Sequence, residues 1–304
     1  MARDGLLVID KPAGPTSHDV VRRVRRVLGT RRAGHGGTLD PDATGVLLVA
    51  SGQATRFFPF LSRERKVYEG RIRLGFATDT YDASGRPASP EASALPGRDE
   101  VAAAMAGFVG EILQTPPRFS AKKLNGQPVY KLARAGREFT LAPVPVTVVR
   151  FDMTGYRPPD LDFETECSAG TYVRSLAHDL GERLGCGAHL AALRRTRVGP
   201  YGLGQAVALD AFEDAGARGE AERLLIPLER LLPDVPAVAV RPEAEAFVRN
   251  GRPLGPSDLA APLPDLAAVT AAGLARLIAR DGRLLALARP VPGGAFLHPF
   301  LVLS

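Results

Sequence analysis

The sequence predicts an α+β fold: a mixed, largely antiparallel sheet carrying a few helices, followed by a small β-rich C-terminal unit. Three observations carry the prediction. Stretches such as residues 66–75 and 161–168 alternate apolar and polar side chains with period two, as half-buried strands do. Only a few stretches space their apolar residues as a helix does. Strands and helices do not alternate in the regular rhythm that builds a parallel sheet. The 304 residues suit one large domain plus a small one. Hydrophobic residues make up 45% against 24% charged, which is enough to bury a core and excludes a disordered chain. Trp is absent, so the core rests on Leu, Val and Ala.

Residues 6–10 read as a short strand. Thr16-Ser17-His18-Asp19 matches a capping box, with a hydroxyl three residues ahead of an acid. Val20, Val21, Val24, Val27 and Leu28 follow at helical spacing, and Gly29 ends the helix. The opposite face carries Arg22, Arg23, Arg25 and Arg26, and Arg31 and Arg32 continue the basic run. A solvated surface and a phosphate-binding face fit it equally. A Gly-rich loop, GHGGTLDPDATG at 34–45, leads into a buried strand at 46–50. In the strand at 66–75, Tyr68, Ile72 and Leu74 share one face while Glu69, Arg71 and Arg73 share the other. Tyr68 therefore points with the apolar set, toward the core or a cleft.

Residues 76–98 are turn-rich, a helix is expected near 99–110, and a basic segment spans 114–136. Strands near 144–153 and 161–168 pair, with Leu161, Phe163, Thr165 and Cys167 facing one way. Gly170-Thr171 opens a helix with Val173, Leu176, Ala177, Leu180 and Leu184 on its apolar stripe, and Gly185 closes it. Residues 204–235 read as acidic helical connection. The Pro-rich stretch at 226–236 marks a boundary, giving domains at 1–235 and 236–304, the second with strand signals such as 283–288.

The formal net charge is +6 and the isoelectric point about 9.6. That balance suits a polyanionic partner, because Lys and Arg on phosphates release counterions, yet many basic proteins bind nothing anionic. Cys167 and Cys186 alone exclude a disulfide framework and a Cys-x-x-Cys zinc site, and are expected as buried thiols in a reducing compartment. Leu6-Leu7-Val8-Ile9 is too short for a signal-peptide core. No stretch approaches the roughly 18 apolar residues of a membrane span, so a soluble, cytoplasmic protein is expected. No metal-ligand spacing is present, and neither metal nor cofactor is expected.

The candidate chemistry centres on Asp40. Glycines and a proline around one Asp describe a rigid loop that presents a carboxylate to an approaching molecule. Asp before Pro is held out of the helical region. The loop is no P-loop, since no Gly-Lys-Ser/Thr follows, and it leads into a strand, unlike a dinucleotide fingerprint. By residue types alone such a loop is more often an ordinary turn. Arg174, in the first turn of its helix, is either a surface residue or the partner of a buried carboxylate. Tyr68 is either core or a ring on which a base stacks. Spacing alone does not bring the three together. His18, His178, His189 and His298 are expected on helix or loop surfaces, and Arg194-Arg195 and Lys122-Lys123 fit solvated faces.

The loop GHGGTLDPDATGVL resembles the catalytic motif of the TruB family of tRNA pseudouridine-55 synthases. The likeness extends, in order, to GLLVIDKPAGPTSHDVV at 5–21, KVYEGRIRLGFATDTYDASG at 66–85, QTPPRFSAKKLNGQPVYKLARAG at 114–136 and CSAGTYVRSLAHDLGERLGCGAHLAALRRTRVGPY at 167–201. The resemblance implies a pseudouridine synthase fold with an RNA-contacting insertion at about 114–142 and a PUA-like C-terminal domain. It implies Asp40 as nucleophile, Tyr68 stacked on the target base with a proton-transfer role, and Arg174 paired with the aspartate. It implies that His35, Tyr172, Leu193 and Lys11 belong to the substrate site, Lys11 by supporting its architecture. The implied substrate is a uridine flipped from the tRNA T-loop. The resemblance implies a C-terminal domain that holds the acceptor end; a compact C-terminal segment and the absence of a Lys-rich tail favour a stand-alone enzyme without an obligatory protein partner, and a monomer is expected. The basic runs then read as phosphate contacts. Two departures stand out: Gly36 replaces a common Thr, and Asp42 places a second carboxylate near the nucleophile, which must face solvent or find a partner. A tRNA-folding chaperone acting by binding alone, or a synthase with another RNA target, are the competing readings.

Overall fold

The computed structural model describes residues 4–120, 122–124, 127–129, 132, 137, 139–261, 266–291 and 296–303. Its strands are β1 (Gly5–Lys11), β2 (Ala33–His35), β3 (Thr44–Ser51), β4 (Lys66–Leu74), β5 (Gly110–Gln114), β6 (Lys123–Leu124), β7 (Gln127–Pro128), β8 (Val144–Arg157), β9 (Asp160–Cys167), β10 (Ala188–Val198), β11 (Tyr201–Gly202) and β12 (Val207–Ala208). The helices among them are α1 (Ser17–Leu28), α2 (Phe58–Leu61), α3 (Arg98–Ala106), α4 (Val173–Arg183) and α5 (Leu209–Ala217). The main sheet runs β12-β1-β3-β10-β4-β9-β8-β5, with β2 on β3 and β11 on β10. Its pairings are antiparallel except β1–β12 and β3–β10. The α+β class with a largely antiparallel sheet is therefore the one observed.

β1 and β3 are apolar at nearly every position because both faces of the sheet are covered here. Leu7, Ile9, Leu47 and Val49 enter a core against α1, α4 and α5. Leu6, Val8, Val46 and Leu48 enter a second core on the other face with Phe57 and Leu61. β9 alternates throughout and β4 does so from Tyr68 onward: Tyr68, Ile72, Leu161, Phe163 and Cys167 are buried, and Glu69, Arg71 and Arg73 are exposed. α1 is capped as its residues dictate. Asp19 N–H donates to Thr16 Oγ1, the Asp19 carboxylate accepts from Thr16 N–H, and Gly29 closes the helix at φ 60°.

A second sheet follows, made of β13 (Ala237–Ala239), β14 (Ala275–Ile278), β15 (Leu284–Pro290) and β16 (Leu297–Val302) in that order. Two short helices, α6 (Glu245–Arg249) and α7 (Leu266–Ala272), accompany it. It has its own core around Val238, Val248, Leu277 and Leu297. Leu284, Leu287 and Leu301 also pack into the second core of the main sheet.

The structure departs from the sequence reading in several places. β10, the strand between β3 and β4, was not foreseen: its alternation is broken by bulges at Leu190/Ala192 and Arg195/Arg197, and three arginines interrupt its apolar pattern. Residues 204–235 are less helical than expected, holding α5 and short 3₁₀ turns. His189 is buried at 4% exposure with Nδ1 3.1 Å from Phe76 O, and His178 is half-buried, whereas His18 and His298 lie exposed as expected. Residues 121, 125, 126, 130, 131, 133–136 and 138 of the expected RNA-contacting insertion lie outside the described residues.

Candidate active site

Asp40 lies in the loop between β2 and β3, and buried side chains from three other elements fix the backbone around it. Arg195 of β10, only 1% exposed, donates to Gly37 O at 3.1 Å, Thr38 O at 3.5 Å and Val46 O at 2.7 Å. Ser17, at the start of α1, donates to Leu39 O at 3.0 Å and accepts from Leu39 N–H at 2.9 Å. Lys11, fully buried at the end of β1, donates to Pro12 O, Pro41 O and Ala43 O, each at 2.8 Å. The residues on either side of Asp40 are thus each pinned. Gly45 adopts φ 98°, and a Cβ there would stand 2.1 Å from Arg195 O, so only glycine lets the loop close against β10.

Arg174 completes the arrangement. It sits in the first turn of α4, where a cation opposes the helix dipole, and its side chain is only 7% exposed. Two carboxylates offset both penalties. Nη2 donates to Asp40 Oδ1 at 3.2 Å, and Nε lies 3.0 Å from Asp40 Oδ2, so the ion pair touches both carboxylate oxygens. Nη1 meets Asp82 Oδ2 at 3.3 Å and Thr80 O at 3.1 Å, and Nη2 also reaches Phe119 O at 2.9 Å. Three of these contacts are hydrogen bonds, to Asp40 Oδ1, Thr80 O and Phe119 O, and the other two are ion-pair contacts. The Asp40 side chain remains 43% exposed, so the carboxylate is clamped on one side and open on the other.

The charge balance is closer than expected from the sequence. Loss of solvent pushes the Asp40 carboxyl above its ordinary range, Arg174 pulls it back, Asp82 pushes it up, Lys11 pulls it down and Asp42 raises it slightly. Arg174 thus offsets part of the burial cost and does not drive the carboxyl below its usual value. Asp42 itself is exposed to solvent.

Tyr68 stands opposite Arg195 across the β4–β10 pair, with the Arg195 guanidinium carbon 6.0 Å from its ring centroid. It is 7% exposed and shares a core cluster with Leu39, in the loop that carries Asp40. Burial raises its hydroxyl pKa, Arg195 opposes that, and the charge of Asp40 raises it further, so phenol and carboxylate lie in each other's field. The structure therefore brings Asp40, Arg174 and Tyr68 into one region.

His35, on β2, is half-buried edge-on to His18, with ring centroids 5.1 Å apart. Burial, then His18 and Arg195, push it down to about 4, so it is neutral at pH 7. Tyr172 precedes α4 and is half-buried. Its N–H donates to Gln114 Oε1 at 2.7 Å, and Gln114 Nε2 donates to Tyr172 O at 3.1 Å. Leu193 is half-buried on β10 opposite Gly70 of β4. Lys11 gives its three ammonium protons to three carbonyls, which makes it a buried brace of the loop.

Sequence reasoning missed Asp82, Arg195, Ser17 and Gln114. Asp82 lay within the quoted TDTYDASG stretch, but nothing local marks it as an arginine partner. Arg195 fitted a solvated face, and only the bulged course of β10 turns it inward. Ser17 was visible only as part of a capping box.

The fold and the site together define the class of the protein: an α+β enzyme of the pseudouridine synthase fold. Among solved structures, the chain aligns over its whole length with 86% of the matching chain in an H/ACA RNP bound to a substrate RNA containing 2′-deoxyuridine, at TM-score 0.73 and 26% identity. It aligns over 98% of its length with 84% of the matching chain in a Cbf5–Nop10–Gar1 complex, at TM-score 0.73 and 28% identity. The family model for the TruB family pseudouridylate synthase N-terminal domain matches residues 25–173, and that for the tRNA pseudouridylate synthase B C-terminal domain matches 174–233. The chain is 40% identical over 300 residues to tRNA pseudouridine synthase B of Solibacter usitatus, covering 99% of this chain and 100% of that protein. It is 48% identical over 237 residues to that of Opitutus terrae, covering 76% and 96%. The chain belongs to the TruB family of pseudouridylate synthases.

Proposed function

We propose that the protein converts uridine 55 in the T-loop of tRNA to pseudouridine, with Asp40 as nucleophile. The observation that carries the reading is the Asp40–Arg174 ion pair, buried on the arginine side and open on the carboxylate side. The relatives named tRNA pseudouridine synthase B supply the substrate class. In the reaction the bond from ribose C1′ to N1 of uracil breaks, a bond from C1′ to C5 forms, and the C5 proton leaves. A uridine stacked in the T-loop is first extruded into the site. A carboxylate then acts either on the sugar carbon, as in a retaining glycosidase, or on the ring, and both routes need it ionised.

The remaining side chains fall into place around that step. Tyr68 offers a ring for the extruded base to stack on and a hydroxyl for proton transfer. Tyr172 and Leu193 line the base pocket. His35, neutral at physiological pH, packs against the opened RNA loop as an uncharged ring. Lys11 acts through the loop it braces. Residues 236–304 form a PUA-like unit that holds the acceptor end of the tRNA, and the exposed Arg22 and Arg26 of α1 contact phosphates that position the RNA. The enzyme works as a monomer in the cytoplasm. Among the described residues no helix is long and apolar enough to cross a membrane.

The test is tritium release from tRNA carrying C5-labelled uridine, with site-resolved pseudouridine mapping of the product. Asp40→Ala is expected to lose about 10⁴-fold or more in rate while tRNA binding is largely kept. Retained turnover in that variant, or pseudouridine forming at another site, overturns the reading.

A further inference from the structure

The segment that carries Asp82 to Arg174 contains an unusual residue. Tyr81 has φ 64°, in the left-handed region that bulky L-residues rarely occupy. Asparagine or glycine would hold such a turn without strain. The conformation has a visible consequence. It sends Thr80 O to Arg174 Nη1 at 3.1 Å, sends Asp82 Oδ2 to the same nitrogen at 3.3 Å, and leaves Tyr81 O accepting from Leu190 N–H of β10 at 3.0 Å. Asp82 Oδ1 is held in turn by Thr80 Oγ1 at 2.7 Å and by Ser84 Oγ at 2.6 Å.

The side chain of Tyr81 is held as firmly as its backbone. Its ring lies flat on that of His178, with centroids 3.8 Å apart and planes 7° from parallel. His178 stands four residues after Arg174 on α4, so both project from one side of the helix. Arg174 grips the carbonyl of residue 80 and the carboxylate of residue 82, and His178 grips the ring of residue 81 between them. Both rings are half-buried, and His178 Nδ1 is buried without a hydrogen-bond partner among the described residues. Stacking therefore accounts for this histidine better than a polar contact does.

We propose that Tyr81 and His178 are positioning residues for the reaction: their stack clamps residues 80–82 onto α4 and so sets where Arg174 holds the Asp40 carboxylate. Without the stack, Thr80 O and Asp82 are free to leave Nη1, and the guanidinium can rotate off Asp40. The inference rests on the reading of Asp40 as nucleophile.

The test compares Tyr81→Gly with Tyr81→Phe, and His178→Ala with His178→Phe, in single-turnover tritium release from labelled tRNA. Glycine accepts the left-handed backbone, so Tyr81→Gly is expected to fold with an unchanged or raised Tm while its kcat falls about tenfold. KM stays near the parent value, and the acid limb of the kcat profile moves to higher pH as Arg174 loosens its hold on Asp40. His178→Ala is expected to behave alike. The phenylalanine variants keep a ring on each side of the stack and are expected to recover kcat to within about twofold. Parent-like kcat and an unmoved acid limb in both Tyr81→Gly and His178→Ala overturn the inference. So do phenylalanine variants as slow as the truncations. Asp40→Asn is run in parallel: if it still turns over, the nucleophile reading itself fails, whatever the Tyr81 variants do.

Discussion

Replacing Arg174 by methionine is the most direct probe of how the site keeps Asp40 ionised. Two charges about 4 Å apart interact by about 4 kcal/mol at an effective dielectric near 20. The Asp40 side chain is 43% exposed, so solvent screens part of that. Hydrogen bonds to charged groups, worth about 1.5–3 kcal/mol, bracket the remainder. Taking about 2 kcal/mol, loss of the guanidinium raises the Asp40 pKa by about 1.5 units, at about 1.4 kcal/mol per unit. The rise adds to an already elevated value, because burial and Asp82 both push the carboxyl upward. Under the proposed mechanism activity needs the ionised form, which is populated above the pKa. The acid limb of the pH–rate profile therefore moves to higher pH by the same amount, and the plateau falls because the carboxylate loses its orienting partner. Single-turnover tritium release between pH 5 and about 9 measures both quantities. Arg174→Lys restores a charge but not the fork, so part of the limb shift is recovered while the plateau stays low. An acid limb that stays in place in Arg174→Met, or moves to lower pH, refutes the electrostatic account.

Other perturbations reach the loop from outside. Lys11→Met removes the donor to three carbonyls and should cost about 2–3 kcal/mol of unfolding free energy in urea titration, with kcat reduced but tRNA affinity kept; a selective loss of affinity would return Lys11 to the substrate side. Ser17→Ala leaves the buried Leu39 N–H and C=O without their partner and should cost about 1–3 kcal/mol, again with kcat falling more than tRNA affinity; an unchanged urea midpoint would count against the latch. His35 should make stability depend on pH. Its folded pKa of about 4 lies below the unfolded value of 6.5, so between these the unfolded chain binds the extra proton and stability is lost as pH falls. That window spans at most about 3 kcal/mol, and His35→Gln should flatten it in urea titrations at pH 4.5 and 7. A slope identical to the parent would show that the imidazole is not desolvated.

The strands and helices whose pattern is local were legible in the sequence. β4 and β9 each have one buried face, and alternation reports that directly. α1 announces both ends through Thr16, Asp19 and Gly29. β10 was illegible because its two bulges reset the alternation, so the arginines that look like one charged run have different fates. Arg194 is half-buried and pairs with Asp10 at 2.7 Å, Arg197 is exposed, and Arg195 turns fully inward. His189 and His178 were placed on the surface for a related reason: short polar side chains carry no periodic signature once a strand bulges or a loop folds back over a helix.

The sequence by itself determined the chemistry on offer: a carboxylate held extended before Pro41, a tyrosine on the apolar face of a strand and an arginine opening a helix, in an order that resembles one enzyme family. Tertiary structure alone decided their relation. The sequence separation of 134 between Asp40 and Arg174 is closed by sheet pairing, and their contact exists only once β10 lies between β3 and β4. It also decided which cations are structural, because burial depends on what packs over a side chain and not on its neighbours in sequence. Arg195 looks like a solvated or phosphate-binding charge in the chain, yet in the fold its donors, like those of Lys11, are taken by the carbonyls of the loop that presents Asp40.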